Sequence, residues 1–124
     1  MTTLEMAKVI PATMRAVDYA EPGGPEVLVA GETQVPVPAA GELLIRVAAA
    51  GVNRPDVIQR QGFYPPPPGA PHIPGLEIAG TVVAAGPDTD DALIGQPVCA
   101  LVAGGGYAEY CPARADHCLV VPSG

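Results

Sequence analysis

Proline and glycine interrupt this chain so often that no long helix fits between them. The 124 residues include 16 prolines and 15 glycines, a quarter of the sequence. A proline inside a helix removes a backbone hydrogen bond and clashes with the preceding turn, so this density excludes a helical bundle. Short apolar segments recur between the turn residues, which is typical of an antiparallel barrel or sandwich. We therefore predict a mostly β fold with one or two short helices.

Seven segments have the character of strands. They cover residues 14–19, 27–35, 43–50, 76–85, 98–103, 107–111 and 117–121. In segment 43–50 the apolar residues Leu43, Ile45, Val47 and Ala49 alternate, and Arg46 lies on the opposite face. This alternation predicts a strand with one face in the core.

Glu77 is the one charged residue in segment 76–85, which is otherwise apolar on both faces. A lone carboxylate in such a strand is unusual and needs a partner. We predict that Glu77 anchors the fold by accepting hydrogen bonds from the backbone or from Arg46. A role for Glu77 as a general base stays open as the alternative.

One helix is predicted, over Arg54–Gln61. Asn53 is suited to the N-cap, and Gly62 to the left-handed residue that ends a helix. Asp56 complements the positive end of the helix dipole, and Arg60 one turn later is placed to pair with it. We expect that ion pair to be exposed to solvent.

Two irregular stretches are interpreted as connections. Residues 65–68 are four consecutive prolines, which enforce an extended backbone and predict a stiff rim that fixes the direction of Tyr64. Residues 104–106 are three glycines without the spacing of a phosphate-binding loop, and a strand pattern follows them. We expect these glycines to form a tight hairpin between two strands.

Charge excludes several classes of function. Six Lys and Arg residues stand against 13 Asp and Glu, for a net charge of -7. Nucleic acids and anionic membranes require a basic surface, so neither is expected as a partner. No apolar run reaches the roughly 18 residues of a membrane span. Residues 1–13 lack a secretory signal and are interpreted as a flexible leader before a domain over residues 14–124, and we expect a cytoplasmic protein.

The cysteines and histidines do not form a metal-binding pattern. Cys99, Cys111 and Cys118 contain no Cys-x-x-Cys pair, and their number is odd. They fit neither a disulfide framework nor a structural zinc site, so we predict buried, reduced thiols. His72 and His117 also lack a partner at ligand spacing.

Three motifs together carry a family resemblance. They are GVNRPD at residues 51–56, QRQGFYPPP at residues 59–67 and PGLEIAGTV at residues 74–82. With MRAV at residues 14–17 and GPEVL at residues 24–28, the chain resembles, over residues 14–124, the N-terminal barrel of quinone oxidoreductases. These enzymes form the zinc-free branch of the medium-chain dehydrogenase/reductase superfamily, with zeta-crystallin as a relative. The resemblance implies a GroES-like antiparallel β-barrel.

The resemblance also implies a function and a site. It implies that NADPH passes a hydride to a quinone or another small electrophilic acceptor, and that Asn53, Asp56 and Tyr64 line the cleft. We expect Asn53 and Tyr64 to be catalytic, and Asn53 and Asp56 to bind the cofactor. Hydride transfer needs positioning rather than a nucleophile, and the Asn53 amide can bond a carbonyl or a ribose hydroxyl. Residue type alone leaves a structural role open for each of the three. Asn53 could be only a helix cap, Asp56 only a partner of the helix dipole, and Tyr64 only an apolar plug.

Zinc is not expected. The zinc-dependent relatives carry a cysteine ligand where Asn53 stands and a histidine ligand where Leu76 stands. Leucine offers no lone pair, and an amide is a poor ligand for zinc. We therefore predict no metal site.

We interpret the chain as a domain without its Rossmann partner, inactive on its own. In such a domain, apolar strand edges that C-terminal segments normally cover would be exposed. We therefore expect a homo-oligomer. Two alternatives stay open. One is an enoyl reductase of the same superfamily, and the other is a free-standing barrel used for binding or assembly.

Overall fold

The computed structural model describes residues 9–123 and confirms a mostly β fold. Its elements in chain order are β1 (Thr13–Asp18), β2 (Val29–Gln34), β3 (Glu42–Ala50), α1 (Arg54–Gln61), β4 (Glu77–Ala85), β5 (Pro97–Leu101), β6 (Tyr110–Arg114) and β7 (Cys118–Val120). Single 3-10 turns cover Pro25–Val27 and Ala115–His117. Residues 1–8 of the predicted leader lie outside the described residues. Between residues 9 and 123, no helix has the length and apolar character to cross a bilayer.

The strands form two antiparallel sheets. The larger has the order β6-β3-β4-β5-β7, and the smaller pairs β1 with β2. Residues 107–109 connect the two sheets, because Ala108 forms an isolated bridge with Ala16 of β1 before the chain enters β6. The strand predicted at residues 107–111 is therefore divided, and its second part begins at Tyr110. Seven strands and one short α-helix agree with the mostly β fold that the sequence predicts.

The hydrophobic core is built from the strands of the larger sheet. Its buried members are Leu43, Ile45, Ile78, Val82, Val98, Ala100, Cys111 and Ala113. In β3, register shifts between Leu44 and Ile45 and between Val47 and Ala49 break the simple alternation. As a result Leu44 is also buried, and the prediction that Ala49 shares the buried face is wrong, because Ala49 is exposed.

Helix α1 has the predicted bounds. Gly62 ends it with φ of 93°, in the left-handed region where a side chain would be strained. The predicted ion pair between Asp56 and Arg60 is wrong, because Asp56 is buried rather than solvated. The Arg60 Nε instead donates to the carbonyl oxygen of Gly23, at 3.2 Å.

The three glycines at residues 104–106 do not form the predicted hairpin. The strands that flank them, β5 and β6, are separated in the sheet by β4 and β3. The backbone N–H groups of Gly105 and Gly106 donate to the carbonyl oxygens of Ile73 (2.7 Å) and Gly75 (3.0 Å). A Cβ on Gly106 would lie 2.9 Å from the backbone of Gly75. The glycines thus permit two backbone segments to cross in close contact.

Candidate functional site

Asn53 lies in the short connection between β3 and α1 and is held at both its backbone and its side chain. It occupies the N-cap position with an extended backbone (φ −124°, ψ 158°). Its backbone N–H donates to Oδ2 of Asp56 at 2.9 Å. Its side-chain Nδ2 donates to Oε1 of Glu77, also at 2.9 Å. The amide therefore has a defined position before any ligand binds.

Asp56 supports this arrangement from inside the protein. It is only 4% exposed, and its Oδ2 also accepts a hydrogen bond from the hydroxyl of Tyr107 at 2.7 Å. Its Oδ1 is buried without a hydrogen-bond partner among residues 9–123. Because both observed contacts of Asp56 are internal, its contribution to the site in this structure is to hold Asn53. Direct contact of Asp56 with a cofactor stays a prediction.

Tyr107 is a member of the site that sequence reasoning missed. Burial, followed by the hydrogen bond to Asp56, raises the pKa of Tyr107 well above its ordinary value. The phenol therefore stays protonated and remains a donor to the carboxylate. The only indication in the sequence was the residue type, because a partly buried tyrosine hydroxyl normally has a hydrogen-bond partner.

The predicted partners of Glu77 are wrong. Its carboxylate accepts from Asn53, whereas Arg46 is exposed on β3 and pairs in register with Thr81. The backbone N–H of Gly51 donates to the carbonyl oxygen of Glu77 at 2.9 Å. A Cβ on Gly51 would lie 2.8 Å from Cδ of Glu77, so the glycine makes room for the carboxylate.

Tyr64 lies at the other end of α1. It follows the helix, whereas Asn53 precedes it, and an eight-residue helix is about 12 Å long. Tyr64 is 39% exposed. The structure therefore brings Asn53, Asp56, Glu77 and Tyr107 together and leaves Tyr64 apart from them. A catalytic role for Tyr64 stays a prediction that needs a ligand long enough to reach both ends.

Glu77 also lines a groove at the edge of this group of residues. The groove encloses about 400 Å³, within the range of small-molecule sites. Its walls are mainly apolar and include Leu101 and Leu119, which are 68% and 67% exposed. A second cavity of about 160 Å³ lies beside Asp56 and is smaller than most small-molecule sites. Glu77 therefore joins the Asn53 cluster to a groove of suitable size.

The residues present do not fit a zinc ion. Among residues 9–123, no three His, Cys, Asp or Glu side chains lie close enough together to hold a metal. The nitrogen of the Asn53 amide is turned to Glu77, and the neighbouring Leu76 has no ligand atom. The three cysteines are free thiols, of which Cys111 is buried as predicted, whereas Cys99 and Cys118 are half-buried.

Comparison with known proteins supports the resemblance seen in the motifs. Residues 39–123 match the alcohol dehydrogenase GroES-like domain family. The quinone oxidoreductase of Lama guanicoe is 42% identical over 106 residues, which cover 84% of this chain and 32% of that protein. The chain thus spans about a third of the length of the curated relatives it matches.

Two solved structures are similar across most of the chain. A mycobacterial protein complexed with NADPH is 40% identical, with a TM-score of 0.75 over 88% of this chain and 32% of that one. A thermostable alcohol dehydrogenase from Pyrobaculum aerophilum, solved with cobalt and zinc, is 33% identical. Its TM-score is 0.79 over 90% of this chain and 42% of that one.

Proposed function

Because the chain belongs to the alcohol dehydrogenase GroES-like domain family, we propose that it is the substrate-side domain of an NADPH-dependent quinone oxidoreductase. The similarity to quinone oxidoreductases and to a protein complexed with NADPH supports this proposal. The observation that carries it is the Asn53 amide, held by Asp56 and by Glu77, and Glu77 also lines a groove of suitable size. Three free thiols are consistent with a cytoplasmic setting.

The nicotinamide would supply the hydride when bound, and the quinone would receive it. Asn53 fits this pair because its amide can bond a carbonyl oxygen, and its side chain is partly exposed. The chain fits the phosphates of the cofactor poorly, since its net charge is -7. We therefore assign the nicotinamide end and the quinone to this domain, and the phosphates to the remainder of a longer parent protein.

This chain contributes binding and orientation. Hydride transfer proceeds when the two reacting carbons are held close to van der Waals contact and aligned. Asn53 fixes the position of one carbonyl oxygen, and Asp56 with Tyr107 keeps Asn53 in place. Tyr64 borders the ligand at the far end of α1. The product takes its protons from water, and the chain needs no metal for this role.

Self-association is part of the proposal. β7 is an edge strand of three residues, and Val120 on it is exposed and lies outside the groove lining. Such an apolar edge favours pairing with another copy. Sedimentation equilibrium of the chain would show dimers or larger species at high concentration, whereas a strict monomer would contradict this part.

The test of the function uses the 124-residue chain in solution. We expect duroquinone, a single-ring quinone, to shift the NMR signals of Asn53 in the 15N- and 13C-labelled protein. We also expect no sustained oxidation of NADPH by the chain with duroquinone. Duroquinone that leaves the Asn53 signals unchanged would contradict the site. Sustained turnover would contradict the inactivity of the isolated chain.

A further inference from the structure

We propose that Glu77 is a positioning residue, which fixes the Asn53 side chain so that an N–H donor, rather than the amide oxygen, meets the ligand. The matching ligand group is then a hydrogen-bond acceptor such as a quinone carbonyl. This inference rests on the proposed function for the identity of the ligand. The orientation of the amide can be tested independently of it.

The chemistry of the two partners sets the orientation of the amide. An ionised carboxylate only accepts hydrogen bonds, so Glu77 must face the nitrogen of Asn53 and not the oxygen. Asn53 and Asp56 also form a capping box, in which the Asn53 side chain lies toward the backbone N–H of Asp56, although that N–H donates its hydrogen bond to the backbone carbonyl oxygen of Asn53 at 3.0 Å. The oxygen is thus turned to the helix and one hydrogen of Nδ2 to Glu77. The second hydrogen of Nδ2 is the donor left for a ligand.

The backbone places Glu77 at the correct distance. Ala50, at the end of β3, is in register with Ile78 of β4, so the residues after β3 pass beside the start of β4. The hydrogen bond from Gly51 N to the Glu77 carbonyl oxygen extends this pairing by one step. Since Gly51 has no Cβ, the Glu77 carboxylate can lie against it and reach Asn53.

Among residues 9–123, the Glu77 carboxylate makes its hydrogen bond to Asn53 and takes part in no ion pair. Its side chain is exposed, so it does not contribute to the core. Glutamate is also a poor strand former, and the neighbouring residues of β4 are apolar. The contact with Asn53 is therefore the interaction that the structure gives this carboxylate.

The experiment compares Glu77→Gln and Glu77→Ala with the wild-type chain. In the wild type we expect one Nδ2 hydrogen of Asn53 to resonate downfield because it is bonded to the carboxylate. Gln retains an acceptor oxygen, so Glu77→Gln should keep most of this shift. Ala has none, so the two hydrogens of Asn53 should return to ordinary positions. Glu32→Ala, which removes an exposed carboxylate from β2, is the matched control and should change nothing.

Binding of duroquinone provides the second measurement. We expect about tenfold weaker binding by Glu77→Ala, and binding within about threefold of wild type by Glu77→Gln. An unchanged Asn53 signal in Glu77→Ala would overturn the positioning role, whether or not duroquinone binds. A different result would contradict the proposed function and leave the positioning role intact. In that case the Asn53 signal would depend on Glu77, but the wild-type chain would not bind duroquinone. Well-dispersed amide spectra of each variant establish that it is folded.

Discussion

The hydroxyl of Tyr107 donates to Oδ2 of Asp56 at 2.7 Å, although 51 residues separate them in the chain. Tyr107 begins the segment that connects the two sheets, and Asp56 lies in the first turn of α1. Their contact therefore fixes the helix, and with it Asn53, to the point where both sheets meet. The precision of the site depends on this long-range hydrogen bond rather than on the helix alone.

Removal of the Tyr107 hydroxyl should destabilise the protein. In Tyr107→Phe the buried Asp56 carboxylate loses one of its two donors, and an unsatisfied buried acceptor costs about 1–3 kcal/mol. Urea unfolding should show this loss as a lower midpoint. Tyr110→Phe, a neighbouring tyrosine that is also partly buried, should change the free energy of unfolding by less than about 0.5 kcal/mol. Equal losses in the two variants would contradict the importance of the hydrogen bond.

Local signals in the sequence predicted α1 correctly. A cap residue, an acid in the first turn and a terminal glycine all lie within ten positions, so they act before any tertiary contact forms. The contact between Asn53 and Glu77 was not predictable in this way. It joins residues 24 apart and depends on the register of β3 and β4, which the sequence pattern does not define.

The glycine run shows the opposite error. Three consecutive glycines satisfy the local rule for a tight turn, so residues 104–106 were predicted as a hairpin. Their actual constraint is the close approach of residues 73–75, which are about thirty positions away in the chain. Local reasoning thus recognised that the positions require glycine but not why.

This explanation predicts that Gly106→Ala is severely destabilising. The added Cβ would lie 2.9 Å from backbone atoms of Gly75, and backbone cannot move aside as a flexible side chain does. We expect a loss of about 1–3 kcal/mol in the free energy of unfolding. Gly31→Ala in β2 is the matched control, since a Cβ there meets nothing within 4 Å. If Gly106→Ala and Gly31→Ala lost the same free energy of unfolding, the close approach of the two backbone segments would be contradicted.

Cys111 should be the least reactive of the three thiols. Burial, and then the negative charge of Glu42, raises the pKa of Cys111 from 9.0 to about 12. The thiolate is the reactive form, and partial burial also raises the pKa of Cys118, so iodoacetamide at mildly alkaline pH should label Cys99 first, then Cys118, and both before Cys111. Cys111 should be labelled only as fast as the protein unfolds. Mass spectrometry of the peptides separates these outcomes, and early labelling of Cys111 would contradict its burial.

The same raised pKa predicts a loss of stability in alkali. The folded pKa of Cys111 lies above the unfolded value, so its contribution is fully present below pH 9.0 and declines as the pH rises toward about 12. The urea midpoint of the wild type should therefore fall with pH in this range. In Cys111→Ala the midpoint should start lower, because a cavity forms, and should decline less steeply. If the urea midpoints of the wild type and of Cys111→Ala fell equally steeply with pH, the loss of stability would come from groups other than Cys111.

Zinc should not bind at the positions of Asn53 and Leu76. The purified chain, exposed to zinc and then dialysed, should retain substoichiometric metal by elemental analysis, because an amide committed to Glu77 and an alkyl side chain offer no suitable ligand pair. The double variant Asn53→Cys with Leu76→His supplies a thiolate and an imidazole beside the Glu77 carboxylate and is the positive control. With cobalt, this variant should develop the absorption of a thiolate complex, and the wild type should not. Stoichiometric zinc in the wild type would contradict the proposed metal-free mechanism, even if the double variant binds cobalt.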